Sequence, residues 1–249
     1  MIKDPYNANQ TFNWHSADTE EYWRVNRERI GSKWYYYDES NTITYNYNSL
    51  GYRSPEIKDI TRPFFISFGC SHTLGTGLHI EDTYSYLLSR DLNLDYLNFG
   101  MGGAGQNVVW SNSTKWLSAN HPKPEFVILQ WPEVERLTVY TDNRINLFLP
   151  NWPGKPDTKK SERNMYLYML DCEDYLHTQA LMYYENTNLL WKLAGVPTVN
   201  FTLASGAGDL FNIKCFRGWT IDESKAARDL MHPGPEFNKQ IVEYIKSQL

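Results

Sequence analysis

The sequence predicts an α/β fold: a three-layer sandwich with helices on both faces of a parallel sheet of about five strands. Strand-like and helix-like segments alternate from residue 64 to the C-terminus, the pattern of a parallel sheet with crossover helices. The third strand, 126–131, is apolar apart from Gln130, as a strand covered on both faces must be. Successive strands also end in residues suited to a site: Ser71, the glycine-rich stretch 100–105, then Gln130 and Glu133. Open α/β sheets collect ligand-binding groups at those carboxyl ends.

Residues 1–62 differ in texture and are read as an extension packed on the main domain, 63–249. They hold Trp14, Trp23 and the run Trp34-Tyr35-Tyr36-Tyr37, with no helical period. Alternation over 42–47 suits a short strand or hairpin arm, and 48–53 a turn in which Gly51 supplies the permissive backbone. The first sheet strand is 64–68. Residues 81–92 follow as a helix with Tyr84, Leu87, Leu88 and Leu92 spread on its faces. The second strand is 94–99 and the next helix 106–117, with Val108, Val109, Trp110 and Trp116.

After the third strand, residues 138–162 show little periodicity and several breakers, including Pro150 and Pro153-Gly154. A loop of that length inside a domain is often functional. Its Tyr and Trp residues are expected to form a substrate wall. Residues 174–193 make a strong helix that Gly195 is placed to end. The fourth strand is 196–203, and 237–249 is a closing helix with Ile241, Tyr244 and Ile245 on one side.

Bulk composition narrows the function. A chain of 249 residues, 41% hydrophobic, can bury one α/β core. Its 24 basic and 29 acidic groups, without a long basic run, argue against nucleic acid as the main partner. No apolar stretch approaches the ~18 residues of a membrane span, and the N-terminus lacks the apolar core of a signal peptide. A cytoplasmic protein is therefore expected, with virion association as an alternative. Cys70, Cys172 and Cys215 are too scattered for a disulfide framework or zinc knuckle and read as reduced thiols. The 18 tyrosines and nine tryptophans suit core packing, but exposed rings would also suit sugar faces.

The chemistry is carried by three residues. Ser71 stands where the first strand stops, in Gly69-Cys70-Ser71-His72-Thr73. Asp229 and His232 lie together in Asp229-Leu230-Met231-His232-Pro233, before the last helix. A serine hydroxyl needs a base to take its proton, and the base needs a partner to fix its tautomer. One chain with all three in such places points to a serine hydrolase. Cys70, still within the strand, is read as a small buried thiol. The stretch 100–105 formally contains Gly-x-Gly-x-x-Gly, but Glu133 comes too late to be the acidic partner of a dinucleotide site. His15, His79, His121 and His177 form no metal-ligand spacing and are read as exposed or packed. Glu133 and Arg136 are read as an exposed ion pair.

From residue 62 onward the chain resembles the SGNH, or GDSL-like, hydrolase family. Gly69-Cys70-Ser71-His72-Thr73 is similar to the block that carries the nucleophile, with Cys70 where the name motif has aspartate. Asn98-Phe99-Gly100-Met101-Gly102-Gly103 resembles the second block, and Asp229-Leu230-Met231-His232-Pro233 the final one. The third block departs: Gln130-Trp131-Pro132-Glu133 puts Pro132 where an asparagine normally completes the oxyanion hole. Losing one such donor costs about 2.7–4 kcal/mol of transition-state stabilisation.

The resemblance implies a flavodoxin-like sheet and a serine esterase acting on an acyl ester, such as an O-acetyl group on a carbohydrate. The implied roles are Ser71 as nucleophile, His232 as base and Asp229 as its orienting partner. The N–H groups of Ser71 and Gly103 would hold the oxyanion, with Gln130 as a third donor. His72, Trp131 and Trp152 are expected to line the substrate site. No metal or organic cofactor is required. The partner expected is a small-molecule or glycan ester. The alternative is a binding or structural protein that keeps the scaffold without efficient catalysis, related to glycans or virions, since the chain is also similar to SGNH-like proteins of tailed phages.

Overall fold

The computed structural model describes every residue except 16, 39–41, 142–143, 151–157 and 219–221, and leaves aside the side chains of 141 and 173. In chain order the elements are β1 (Thr11–Phe12), α1 (Glu20–Ile30), β2 (Tyr45–Asn46), β3 (Phe64–Gly69), α2 (Ser71–Leu74) and α3 (Tyr84–Leu92). Next come β4 (Asp95–Gly100), α4 (Gln106–Ser118), β5 (Val127–Trp131), β6 (Leu137–Thr141), β7 (Arg144–Phe148) and α5 (Lys160–Asp171). The chain closes with α6 (Glu173–Leu193), β8 (Thr198–Thr202), α7 (Ser205–Phe211), β9 (Lys214–Cys215) and α8 (Pro235–Gln248).

The central sheet has five strands in the order β4-β3-β5-β8-β9, every pairing parallel. Counted along the chain, that is the order 2-1-3-4-5 of a flavodoxin-like sheet, whose switch point lies between the first and third strands. Strand alternation sorts the core into two layers. Phe64, Ile66 and Phe68 of β3 face Val108, Val109 and Trp116 of α4 and Leu176, Ala180 and Trp191 of α6. Phe65 points the other way, to Tyr84 and Leu88 of α3 and Ile241, Val242 and Ile245 of α8. The result is the expected three-layer sandwich.

The helices begin and end where local chemistry dictates. Thr19 and Thr83 cap α1 and α3 by accepting from the backbone N–H of Tyr22 and Tyr86. Asn93 ends α3 in the left-handed conformation, and Pro235 opens α8, where its missing N–H costs nothing.

Within residues 1–62, Ile2 and Tyr52 belong to the main core, whereas other aromatic side chains gather separately. Trp23, Trp34, Tyr36, Ile43, Tyr45 and Tyr47 form a buried cluster that reaches Leu74 of α2, Leu78 and Ala227. The strand expected over 42–47 is the short β2, paired antiparallel with β1.

The region 138–162 departs from expectation. Among its described residues β6 and β7 pair antiparallel as a hairpin and α5 begins at Lys160, while residues 151–157 lie outside the described residues. The stretches are too short to show a period, and polar contacts hold them. Glu162 of α5 binds Arg144 at 2.9 Å and Asn146 at 2.9 Å on β7. The short elements α7 and β9 likewise carry no period that a sequence reading could use.

Candidate active site

The turn that carries Ser71 is built by close contact. A side chain at Gly69 would collide with Thr73 Oγ1 and Gln130, so only glycine lets β3 turn into α2 there. Ser71 then occupies the first position of α2, 8% exposed. Three buried groups brace this short helix. Asn98 of β4 donates to the Thr73 carbonyl at 2.6 Å, and Tyr84 donates to Thr73 Oγ1 at 2.9 Å. Gln130 of β5 accepts from the Cys70 N–H at 2.9 Å and from Thr73 Oγ1 at 3.2 Å.

Asp229 and His232 sit in the tight loop before α8, 4% and 8% exposed. His232 Nδ1 lies 2.5 Å from Asp229 Oδ2, the contact that holds an imidazole in one tautomer with Nε2 outward. The other carboxylate oxygen accepts from the Met231 N–H at 3.1 Å. The loop is pinned at both ends, by Ala227 N–H on the His232 carbonyl at 3.0 Å and by Arg228 N–H on the Gly77 carbonyl at 2.9 Å. Leu230, between acid and base, takes a left-handed φ of 59°, a costly conformation for leucine that the loop enforces.

The two halves meet through His72. Its ring packs edge-on against that of His232, centroids 5.0 Å apart, which sets His232 beside the residue next to Ser71. No Ser71–His232 hydrogen bond forms among the described residues; the Ser71 hydroxyl has its contact with Cys70 Sγ, at 4.0 Å. Burial and the neighbouring His232 and Arg136 hold the His72 pKa well below the ordinary histidine value, so its ring is neutral near pH 7.

Gly103, expected as an oxyanion donor, lies in the turn after β4 with φ 73°. It lies under the hairpin, since a methyl group there would come 3.0 Å from Leu147 Cδ1. The hairpin thus caps this turn, and Gly105 N–H donates to Thr138 Oγ1 at 2.9 Å.

Two expected site residues are corrected. Gln130 is not an oxyanion donor: it is 0% exposed, its carbonyl oxygen supports the turn that carries Ser71, and its amide nitrogen donates to the Trp131 carbonyl at 3.0 Å. Trp131 is not a substrate contact. It is 0% exposed, packs on Tyr184 and Phe211, and donates its indole N–H to Asn200 at 2.9 Å. Register explains both, because the last two residues of β5 still lie within the sheet. Trp152 lies outside the described residues. Cys70 is a fully buried thiol, with its pKa raised by burial. Glu133 and Arg136 do pair, but the Arg136 side chain is largely covered.

His15 is a neighbour of this region that sequence reasoning did not place there. It lies far from every motif, with no periodic pattern around it. A methyl group on Gly102 would meet His15 Cε1 at 3.1 Å and Nε2 at 3.5 Å, so the ring edge overhangs the turn after β4. Burial first, and the charge on His232 second, lower its pKa to about 4. Among the described residues no group of three His, Cys, Asp or Glu side chains could hold a metal ion. No described helix is long and apolar enough to cross a membrane.

No protein-family model matches the chain, and no curated protein matches it. Solved structures do. A protein assigned to the G-D-S-L lipolytic family from Desulfitobacterium hafniense DCB-2 aligns at 12% identity over 75% of this chain and 99% of its own, TM-score 0.46. AlinE4, an SGNH-hydrolase family esterase, aligns at 15% identity over 75% of this chain and 94% of its own, TM-score 0.34. The psychrotrophic esterase EstA from Pseudoalteromonas sp. aligns at 10% identity over 74% of this chain and 95% of its own, TM-score 0.41. A carbohydrate esterase, whose active site displays divergent catalytic and non-catalytic binding functions, aligns at 14% identity over 75% of this chain and 64% of its own, TM-score 0.46. Relative to the SGNH pattern, this chain keeps the serine and the Asp-x-x-His loop and has Pro132 in place of the asparagine.

Proposed function

We propose that the protein is a serine esterase working through Ser71, His232 and Asp229. The observation that supports it best is the buried Asp229–His232 pair, set against His72 beside Ser71 at the carboxyl edge of the sheet. His232 takes the Ser71 proton as the oxygen attacks an ester carbonyl, and Asp229 stabilises the imidazolium. The N–H groups of Ser71 and Gly103 face the developing oxyanion. His232 then returns the proton to the leaving alcohol, and water, activated by the same base, releases the acid.

Within that class, an O-acetyl ester on a carbohydrate is the substrate suggested by the SGNH resemblance. The aromatic surplus lends it little, since Trp34, Trp116, Trp131 and Trp191 are buried. A scaffold without efficient catalysis is the second reading, favoured by Pro132 and by the commitment of Gln130 to the nucleophile turn.

Hydrolysis of p-nitrophenyl acetate and a panel of acetylated sugars by wild type and Ser71→Ala separates the two. A rate abolished by the substitution, with a fluorophosphonate labelling Ser71 alone, is the esterase outcome. Equal near-background rates and no label on Ser71 select the scaffold.

A further inference from the structure

We propose that His15, carried in from the N-terminal layer, is a catalytic residue: its neutral imidazole donates a hydrogen bond to the substrate acyl oxygen over the Gly102–Gly103 turn. This rests on the serine-esterase reading above and adds the side-chain donor that the motifs lack. Acyl transfer concentrates negative charge on one oxygen, and preorganised donors aimed at it contribute strongly to the rate. The esterase reading assigns two backbone N–H groups to that oxygen, those of Ser71 and Gly103. Neither candidate from the third strand can supply a third, since Pro132 offers no donor and the Gln130 amide nitrogen already donates to the Trp131 carbonyl.

His15 is positioned for the task. Its ring edge overhangs Gly102, and both Gly102 and Gly103 remain partly exposed while Met101 and Ala104 beside them are buried. Its placement is heavily constrained. His15 and Asp18 exchange backbone hydrogen bonds at 2.9 and 3.0 Å. Asp18 is locked to Arg228, the neighbour of Asp229, and accepts from the Tyr45 hydroxyl at 2.6 Å. The Tyr45 ring packs against His15 with centroids 5.5 Å apart. The imidazole is thus tied to the same loop that holds the acid and base. Burial, His232 and Arg53 disfavour its charged form and outweigh Asp229, which leaves a neutral donor that does not compete with His232 for the Ser71 proton.

The test compares His15→Phe, which keeps a ring without a donor, and His15→Gln, which restores an N–H, using p-nitrophenyl acetate and fluorophosphonate labelling of Ser71. The expected result is a fall in kcat of about 10²-fold for His15→Phe with KM nearly unchanged, and partial recovery for His15→Gln at similar Tm. Wild-type kcat in His15→Phe overturns the proposal. So does an equal fall in both variants with a matching loss of Tm, which marks a packing role. Absence of label on wild-type Ser71 overturns the esterase reading itself and the proposal with it, whereas a labelled Ser71 with an unaffected His15→Phe overturns the role of His15 alone.

Discussion

Arg228 and Asp18 stand 210 residues apart in the chain and meet in a buried two-point ion pair, Nη2 to Oδ2 at 2.7 Å and Nε to Oδ1 at 2.9 Å. Their side chains are only 2% and 1% exposed. Arg228 also donates to the Asn13 carbonyl at 2.7 Å and lies over the Trp14 ring, 4.0 Å from its centroid. Asp18 and its N-terminal neighbours are thereby fastened to the residue that precedes Asp229.

Asp18→Asn should therefore act on stability and on the site together. Removing one partner of a buried pair leaves the other charge uncompensated, at a cost of about 3–5 kcal/mol. Replacing both by apolar residues, Asp18→Leu with Arg228→Met, should cost less than the sum of the single changes. Urea unfolding of the double-mutant cycle measures this; strictly additive losses would mean the pair is uncoupled.

Gln130→Leu distinguishes a brace from a donor. It leaves the Cys70 N–H and the Thr73 hydroxyl without their acceptor in a dry site, at about 1–3 kcal/mol for the buried groups. The loss should appear as a lower unfolding midpoint. An unchanged midpoint with a lower kcat would restore Gln130 to the oxyanion hole.

Gly77→Ala should disturb the acid. Gly77 has φ 73°, and a methyl group there would press on Ala227 Cβ at 2.9 Å, Arg228 N at 3.0 Å and Asp229 Oδ1 at 3.1 Å. Backbone strain alone is worth about 1–3 kcal/mol. The expected outcome is a drop in kcat together with Tm; normal kinetics would show that the Asp229 loop tolerates the shift.

Stability should fall on the acid side. His15 and His72 have pKa values lowered in the folded protein, His15 to about 4, whereas unfolded histidine titrates near ~6.5. Below that value the unfolded chain binds more protons than the folded one, so stability is full above about pH 6.5 and is lost as pH falls toward 4. Urea midpoints across that range should decline, and His15→Phe should flatten the decline. An identical slope in the variant would mean that His15 is not kept neutral by the fold.

Much of this molecule is legible in its sequence. Apolar runs such as 126–131, bounded by turn residues, determine the strands and with them the three-layer sandwich. Ser71 and the Asp229–His232 loop can be read because each depends on a few neighbouring residues at strand and helix ends. What only the tertiary structure decided are the meetings between distant segments: His15 over Gly102, Asp18 with Arg228, and Gln130 and Trp131 turned inward by the register of β5. No local pattern encodes these, because a buried polar side chain takes its role from whichever remote groups satisfy it. Periodicity reports which face of an element is covered, and leaves open what covers it.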